Sequence, residues 1–365
     1  MSLNCGIVGL PNIGKSTLFN ALSGVGAVAA NYPFCTIDPN RGIVPVPDER
    51  LERLVAVSPS ERVIPTTIEF VDIAGLVAGA SRGEGLGNAF LGHIRQVDAL
   101  VHVVRCFDAT GISHVAGSVN PERDIEIVNT ELLLKDLDTA ERFAEKWERA
   151  AKGGDADVIA KAAFAERLVV HLSQGSPARL LRDLSKKEQH YIGGLFLLTS
   201  RPVLYIANVG EVDLPQGNVW AEQVQKIATR EQAECLILSA DFEAQLSELE
   251  EEEKDVFLVS EGLQANGLQR LIQTAYKLLD LITFFTHGPN ETRAWTVKSG
   301  TRAPQAGGQI HSDFERGFIR AETVQVEDLI RVGSEAAARA SGIMRSEGKD
   351  YVVQDGDVIL FRFNV

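Results

Sequence analysis

The stretch Gly9–Ser16, GLPNIGKS, satisfies the pattern G-x-x-x-x-G-K-[ST]. Glycines at that spacing let main-chain N–H groups close around phosphate oxygens, and Lys15 stands where it neutralises β and γ phosphates. Ser16 offers a hydroxyl ligand for Mg²⁺. Asn12, Ile13, Gly14, Lys15, Ser16 and Thr17 are therefore the expected phosphate-binding residues. The setting agrees with the motif. The apolar run CGIVG precedes it as a strand, and KSTLFNAL opens a helix whose N-terminus adds its positive end.

Two more short segments belong with this loop. DIAG begins at Asp72 after the apolar run TTIEFV; its Asp reaches the Mg²⁺ through water, and Gly75 presents an N–H to the γ-phosphate. PFCTIDPN begins at Pro33 and supplies Thr36, a hydroxyl that closes on the metal. Alone, each match is common by chance. In this order after a phosphate loop they define a metal set of Ser16, Thr36 and Asp72.

The base is a separate question. GTPases of this class carry N-K-x-D after a later strand, where the Asp accepts two hydrogen bonds from guanine. Here the strand RPVLYIAN leads into Asn208, Val209, Gly210 and Glu211. Val replaces the Lys, and Glu is one methylene longer than Asp. Asp213 lies two residues too late to substitute. A site built for paired hydrogen bonds loses about 1–3 kcal/mol for each buried group left unpaired. Guanine selectivity is expected to be weak, with Asn208 and the main chain near Val209 left to read adenine.

These residues need elements to hold them. From Cys5 to about residue 120, apolar runs alternate with glycine-rich turns and helical patterns, which predicts a parallel sheet covered on both faces. From Pro121 the pattern turns helical. Leu133, Leu137, Ala140, Ala144 and Trp147 form one heptad seam; Val158, Ala162, Ala165, Val169 and Leu172 form another after KGGDAD. The spacing predicts an antiparallel helical hairpin inserted in the α/β domain, at about 122–200. The acidic run LSELEEEEKD reads as a solvated face. From about Ile282 strands return in ETRAWTVKSG, AETVQV and YVVQDGDVILFRFNV. The expected domains are 1–281, including the insertion, and 282–365.

Composition narrows the partners. A net charge of −14 argues against broad, non-specific binding to DNA or to an anionic membrane. Cys5, Cys35, Cys106 and Cys235 are scattered without a CxxC, which suits a reducing cytoplasm. The N-terminus has no basic region before a long apolar run, so no signal peptide is expected.

At this point the sequence resembles the YchF family, the Obg-like ATPases among P-loop GTPases. GIVGLPNIGKSTLFNALS, NYPFCTIDPN, VDIAGLVAGASRGEGLGNAFL, NVGE and APQAGGQIHSDFERGFIRAETV carry the resemblance, which covers essentially the whole chain. It implies an α/β P-loop G-domain with a coiled-coil insertion and a C-terminal β-grasp TGS domain. It also implies ATP as the preferred nucleotide, Mg²⁺ as cofactor and the ribosome as partner. An Obg-type GTPase switch and a ribosome-binding scaffold with vestigial hydrolysis are the alternatives.

Ras-like proteins place a Gln after DxxG to orient water, but here Leu76 and Val77 follow Gly75. The resemblance points instead to His114, in GISHVAGS, as the catalytic residue; spacing alone reads it as a surface histidine. His102 and His93 read as structural or surface residues. Gly79, Gly83, Gly85 and Gly87 suit a switch loop. Asn12 has two readings, an ordinary loop residue or a ligand that helps hold K⁺ beside the phosphates.

Overall fold

The computed structural model describes residues 3–28, 40–57, 59–73, 86–109, 114, 117–263 and 266–364. In chain order its elements are β1 Asn4–Val8, α1 Lys15–Val28, β2 Arg41–Pro45, α2 Glu49–Val57, β3 Arg62–Ile64, β4 Thr67–Asp72, α3 Leu86–Gln96, β5 Ala99–Cys106, α4 Pro121–Ala151, α5 Ala156–Ser173, α6 Lys186–Leu195, β6 Val203–Val209, α7 Val219–Glu231, β7 Glu234–Leu238, α8 Ala240–Ser247, α9 Glu251–Ser260 and α10 Gly267–Leu278. There follow β8 Leu281–Thr286, β9 Glu291–Lys298, α11 Ala303–Ile310, α12 Ser312–Arg316, β10 Phe318–Gln325, α13 Val326–Val332, α14 Glu335–Ala340, β11 Arg345–Glu347 and β12 Asp357–Phe363.

One sheet runs in the order β2-β4-β1-β5-β6-β7. β1 pairs in parallel with β4 and with β5, β5 with β6, and β6 with β7. Every residue of β5 and of β6 is buried, as a parallel strand covered on both faces requires. That burial explains why ALVHVVRC and VLYIANV are near-continuous apolar runs rather than alternating ones. Strand order reverses at β1, with β4 on one side and β5 on the other. The carboxyl end of β1 is therefore a topological switch point, where open α/β sheets bind ligands. The loop Gly9–Gly14 leaves the sheet there.

The helical insertion is present. α4 begins at the N-cap Asn120, whose side chain accepts the N–H of Arg123 at 3.1 Å, with Pro121 at the first helical position. It runs 31 residues and stops at a turn in which Gly154 takes a φ of +80°. Asp155 then caps α5 by accepting the N–H groups of Asp157 and Val158. The seam differs in part from its expected form. Leu133, Ala140, Ala165 and Leu172 are buried as the heptads require, but Phe164 and Leu168 complete the core while Val158 is half-buried. Phe164 fills the core of the hairpin, and the Tyr191 ring of α6 packs with its centroid 5.8 Å from it.

Contacts divide the chain into two units, residues 1–42 with 69–271 and residues 43–68 with 272–365. Sequence placed the second boundary at 282 and assigned 43–68 to the first domain. That segment groups with the second unit because β3 pairs in parallel with β9, Arg62 opposite Glu291. Leu51 and Leu54 of α2 also join the core of Phe285, Val324 and Leu329. The second unit's sheet has the order β11-β10-β12-β8-β9-β3. Antiparallel pairs β8/β9 and β10/β12 meet through the parallel contact of β8 with β12, and α11 follows the first pair. This is the β-grasp arrangement. Asp355 and Gly356 form a turn that leads into β12. Gly356 takes a φ of +82° at the entry to β12, and Asp355 accepts the N–H of Thr283 at 2.8 Å. No helix among the described residues is long and apolar enough to cross a membrane.

Candidate nucleotide site

Glycine is obligatory at Gly14. Its φ is +86°, and a Cβ there would lie 2.3 Å from Asn208 Nδ2. Asn12 also adopts a left-handed φ, +61°, a conformation that asparagine tolerates better than most residues. Ile13 is buried in the core, and its carbonyl oxygen is held from inside the protein by a side chain of β6. Lys15 opens α1 and is itself buried, with its ammonium against Asp72 Oδ1. Asp72 ends β4 and is held by its own N–H, which donates to Asn40 O at 2.9 Å. The structure thus joins the first two sequence motifs through one ion pair.

Ser16 is exposed one residue into α1, and Thr17 is half-buried behind it. The hydroxyl of Ser16 and the carboxylate of Asp72 are hard oxygen donors, the kind that Mg²⁺ takes together with phosphate oxygens and water. That donor set fits Mg²⁺. Thr36 and Gly75 lie outside the described residues, as do Leu76, Val77, Gly79, Gly83 and Gly85. Gly87, expected in the same loop, lies within α3.

The base segment differs from its sequence reading. Asn208 is buried at the end of β6 and does not present a free carboxamide to a base. Its Nδ2 donates to Ile13 O at 2.8 Å, and its Oδ1 accepts the N–H of Ala240 at 2.8 Å. One side chain thereby ties the phosphate loop to the start of α8. The physical reason is satisfaction: a buried amide finds partners for both ends, and the nearest are main-chain groups. Val209 is also in the core, so its side chain cannot stack on a base as a lysine stem would. Glu211 is exposed and accepts from Gln245 Nε2 at 2.5 Å.

Arg105 was not anticipated. It is among the largest fully buried side chains. Its Nε donates to Phe107 O at 3.1 Å, its Nη1 donates to Asn12 O at 3.2 Å, and its guanidinium lies 4.7 Å from the Phe107 ring centroid. It braces the phosphate loop from β5. A lone Arg inside an apolar strand was the available signal, since a buried charge needs fixed partners.

His114 lies beside the start of α4. Its Nε2 is 2.8 Å from Asp124 Oδ2, and its Nδ1 faces Arg123 Nη2 at 3.5 Å. His102 is structural, as expected: it is buried 5.4 Å from the Tyr205 ring, and burial, with Arg179 nearby, pushes it down to about 3. His93 is exposed on α3. Cys5, Cys106 and Cys235 are free thiols, with burial pushing each up.

A phosphate loop at the switch point, its lysine against the DxxG aspartate and an N-x-x-E after β6 define a P-loop hydrolase on a GTPase fold. Residues 4–137 match the family model described as 50S ribosome-binding GTPase. Residues 281–364 match the YchF-GTPase C-terminal model, described as a protein of unknown function. The Escherichia coli O157:H7 protein named "Ribosome-binding ATPase YchF" is 53% identical over 100% of both chains. The Bacillus subtilis protein of that name is 52% identical, also over 100% of both. A solved structure from Schizosaccharomyces pombe, described as a YchF GTPase, superposes with a TM-score of 0.90 at 39% identity, covering 99% of this chain and 98% of that one. A GTP-binding protein from Pyrococcus horikoshii shares the fold, with a TM-score of 0.62 at 18% identity. The chain belongs to the YchF family.

Proposed function

We propose that this protein hydrolyses ATP in preference to GTP, with Mg²⁺, and that its nucleotide state governs binding to the ribosome. The observation that carries the nucleotide preference is the base segment. Val209 is buried, Glu211 is tied to Gln245, and Asn208 is spent on bracing the phosphate loop. Val209 supplies no lysine stem, and Glu211 carries its carboxylate one methylene further out than the Asp of N-K-x-D and against Gln245. The relatives' shared name, ribosome-binding ATPase, supports both halves of the proposal.

Lys15 and Asp72 hold each other in this structure. With nucleotide bound, Lys15 would hold the β and γ phosphates and Asp72 would hold the metal through its water shell. Mg²⁺, when bound, neutralises charge on the phosphates; Ser16, Asp72 and Thr36 are its proposed holders. Gly75 senses the γ-phosphate, and His114 orients the attacking water. Asn12 carries the proposal of a K⁺ ion; its carbonyl is already engaged by Arg105, so its side chain would do the work. Replacing KCl by NaCl in a phosphate-release assay tests that point. The helical hairpin and the β-grasp TGS unit are the proposed ribosomal contacts, and the cytoplasm the place of action.

Competitive titration of ATP against GTP tests the preference. Tighter GTP binding would overturn it in favour of an Obg-type GTPase. Sedimentation with ribosomes in each nucleotide state tests the switch.

A further inference from the structure

We propose that Asp124 and Arg123 form a clamp that withholds His114 from the attacking water and so keeps hydrolysis slow. The proposal rests on the reading of His114 as the water-orienting residue and adds the regulation of that residue.

The geometry is specific. The side chains of His114 and Asp124 are each only 4% exposed. The chemistry of the partners assigns the tautomer: a carboxylate accepts and a guanidinium donates. His114 therefore donates from Nε2 to Asp124 Oδ2 at 2.8 Å and turns the lone pair of Nδ1 toward Arg123 Nη2 at 3.5 Å. Both ring nitrogens face protein groups. Arg123 closes the arrangement by donating from Nε to Asp124 Oδ1 at 3.1 Å and from Nη2 to the same oxygen at 3.0 Å. Its guanidinium is fixed in turn by Ser118, with Nη2 donating to the carbonyl at 2.5 Å. Asp124 cannot drift, because it sits in the first turn of the capped helix α4.

An imidazole held this way has Nε2 engaged by Asp124 and Nδ1 turned toward Arg123, so neither nitrogen is aimed at a water on the phosphate side. To act on one it must leave Asp124, and leaving exchanges a charge-assisted hydrogen bond for a solvated one. The population of the released state then multiplies the rate, in the same way that a fractionally populated competent state reduces an apparent affinity. Asp124 and Arg123 are positioning residues, since they act through His114.

The test is single-turnover phosphate release, with equilibrium ATP binding measured alongside, on four variants of the full chain: His114→Ala, Asp124→Asn, Arg123→Met and the double variant His114→Ala/Asp124→Asn. Asp124→Asn keeps the shape and weakens the bond to Nε2; the expected rise in rate is roughly tenfold with ATP affinity unchanged. Arg123→Met removes the longer, more exposed contact, and the expected rise is about threefold. The double variant is expected to be as slow as His114→Ala. That epistasis is a readout which a merely structural role for Asp124 would not produce. If Asp124→Asn does not fold, as a thermal melt would show, Arg123→Met decides. A slow His114→Ala with no acceleration in the folded clamp variants overturns the clamp and leaves the catalytic reading standing. An unchanged rate in His114→Ala overturns both. Acceleration that persists in the double variant also overturns the clamp, because it does not pass through His114.

Discussion

Asn208 Nδ2 lies 2.8 Å from the carbonyl oxygen of Ile13, across 195 residues of chain. Its Oδ1 holds the N–H of Ala240 at the same distance. The conformation of the phosphate loop is thus tied to the segment expected to contact the base. Replacing Asn208 by Ala leaves a buried carbonyl and a buried N–H without these partners, at about 1–3 kcal/mol for each. The expected outcome is a lower melting temperature together with weaker binding of any nucleoside triphosphate. Thermal melts and a fluorescent-nucleotide titration measure the two effects. A variant that binds ATP as tightly as the parent would show that the loop does not depend on this brace.

Lys15→Ala is expected to abolish tight triphosphate binding while the fold survives. The lysine is the positive charge of the loop, and its present partner Asp72 remains partly accessible to solvent when the ammonium is gone. Circular dichroism reports the fold and equilibrium titration the affinity. Undiminished affinity would refute the phosphate-site assignment.

Glu211→Asp with Val209→Lys restores the N-K-x-D pattern and is expected to raise GTP affinity relative to ATP. The structure limits how far. Val209 is buried, so the new ammonium must reach solvent along its stem or be destabilised, and a loss of about 3 kcal/mol in stability is expected. The Glu211→Asp variant alone gives up the contact to Gln245 without that penalty. Competition binding of both nucleotides to each variant checks the direction of the shift, and a double variant with the parent's preference would contradict it.

Glu243 makes stability fall as pH rises toward neutrality. It is buried on α8 and accepts the N–H groups of Gly267 at 2.9 Å and Leu268 at 3.2 Å. Desolvation outweighs those two bonds and the nearby Arg270, and it pushes the carboxyl up to about 7. A carboxyl with a raised folded value binds its proton more tightly folded than unfolded. Its contribution is therefore complete below about 4.5, its ordinary value, and is lost as pH climbs through about 7. The size is on the order of 3 kcal/mol. Urea midpoints of the parent and of Glu243→Gln between pH 5 and 8 test this. The parent is expected to lose stability across that range relative to the variant, and parallel profiles would rule the effect out.

The phosphate loop could be read from sequence because its determinants are contiguous. Glycines, lysine and hydroxyl stand within eight positions after an apolar run, and main-chain geometry does the rest. The parallel sheet and the helical hairpin were readable for a similar reason, since burial on both faces of a strand imposes a continuous apolar run and burial along one stripe of a helix imposes a local period. The family resemblance carried the β-grasp unit, which periodicity alone did not reveal.

What tertiary structure decided is where buried polar atoms find partners. Asn208, expected at the base, braces the phosphate loop against α8. Arg105, which the sequence did not single out, supports Asn12 across 93 residues. Residues 43–68 looked like part of the first domain and group with the second through the pairing of β3 with β9. Each outcome depends on groups far apart in the chain that packing brings within about 3 Å, and a buried polar group must be satisfied by whichever partner arrives there. Sequence names the donors and acceptors; only the packed chain determines which of them meet.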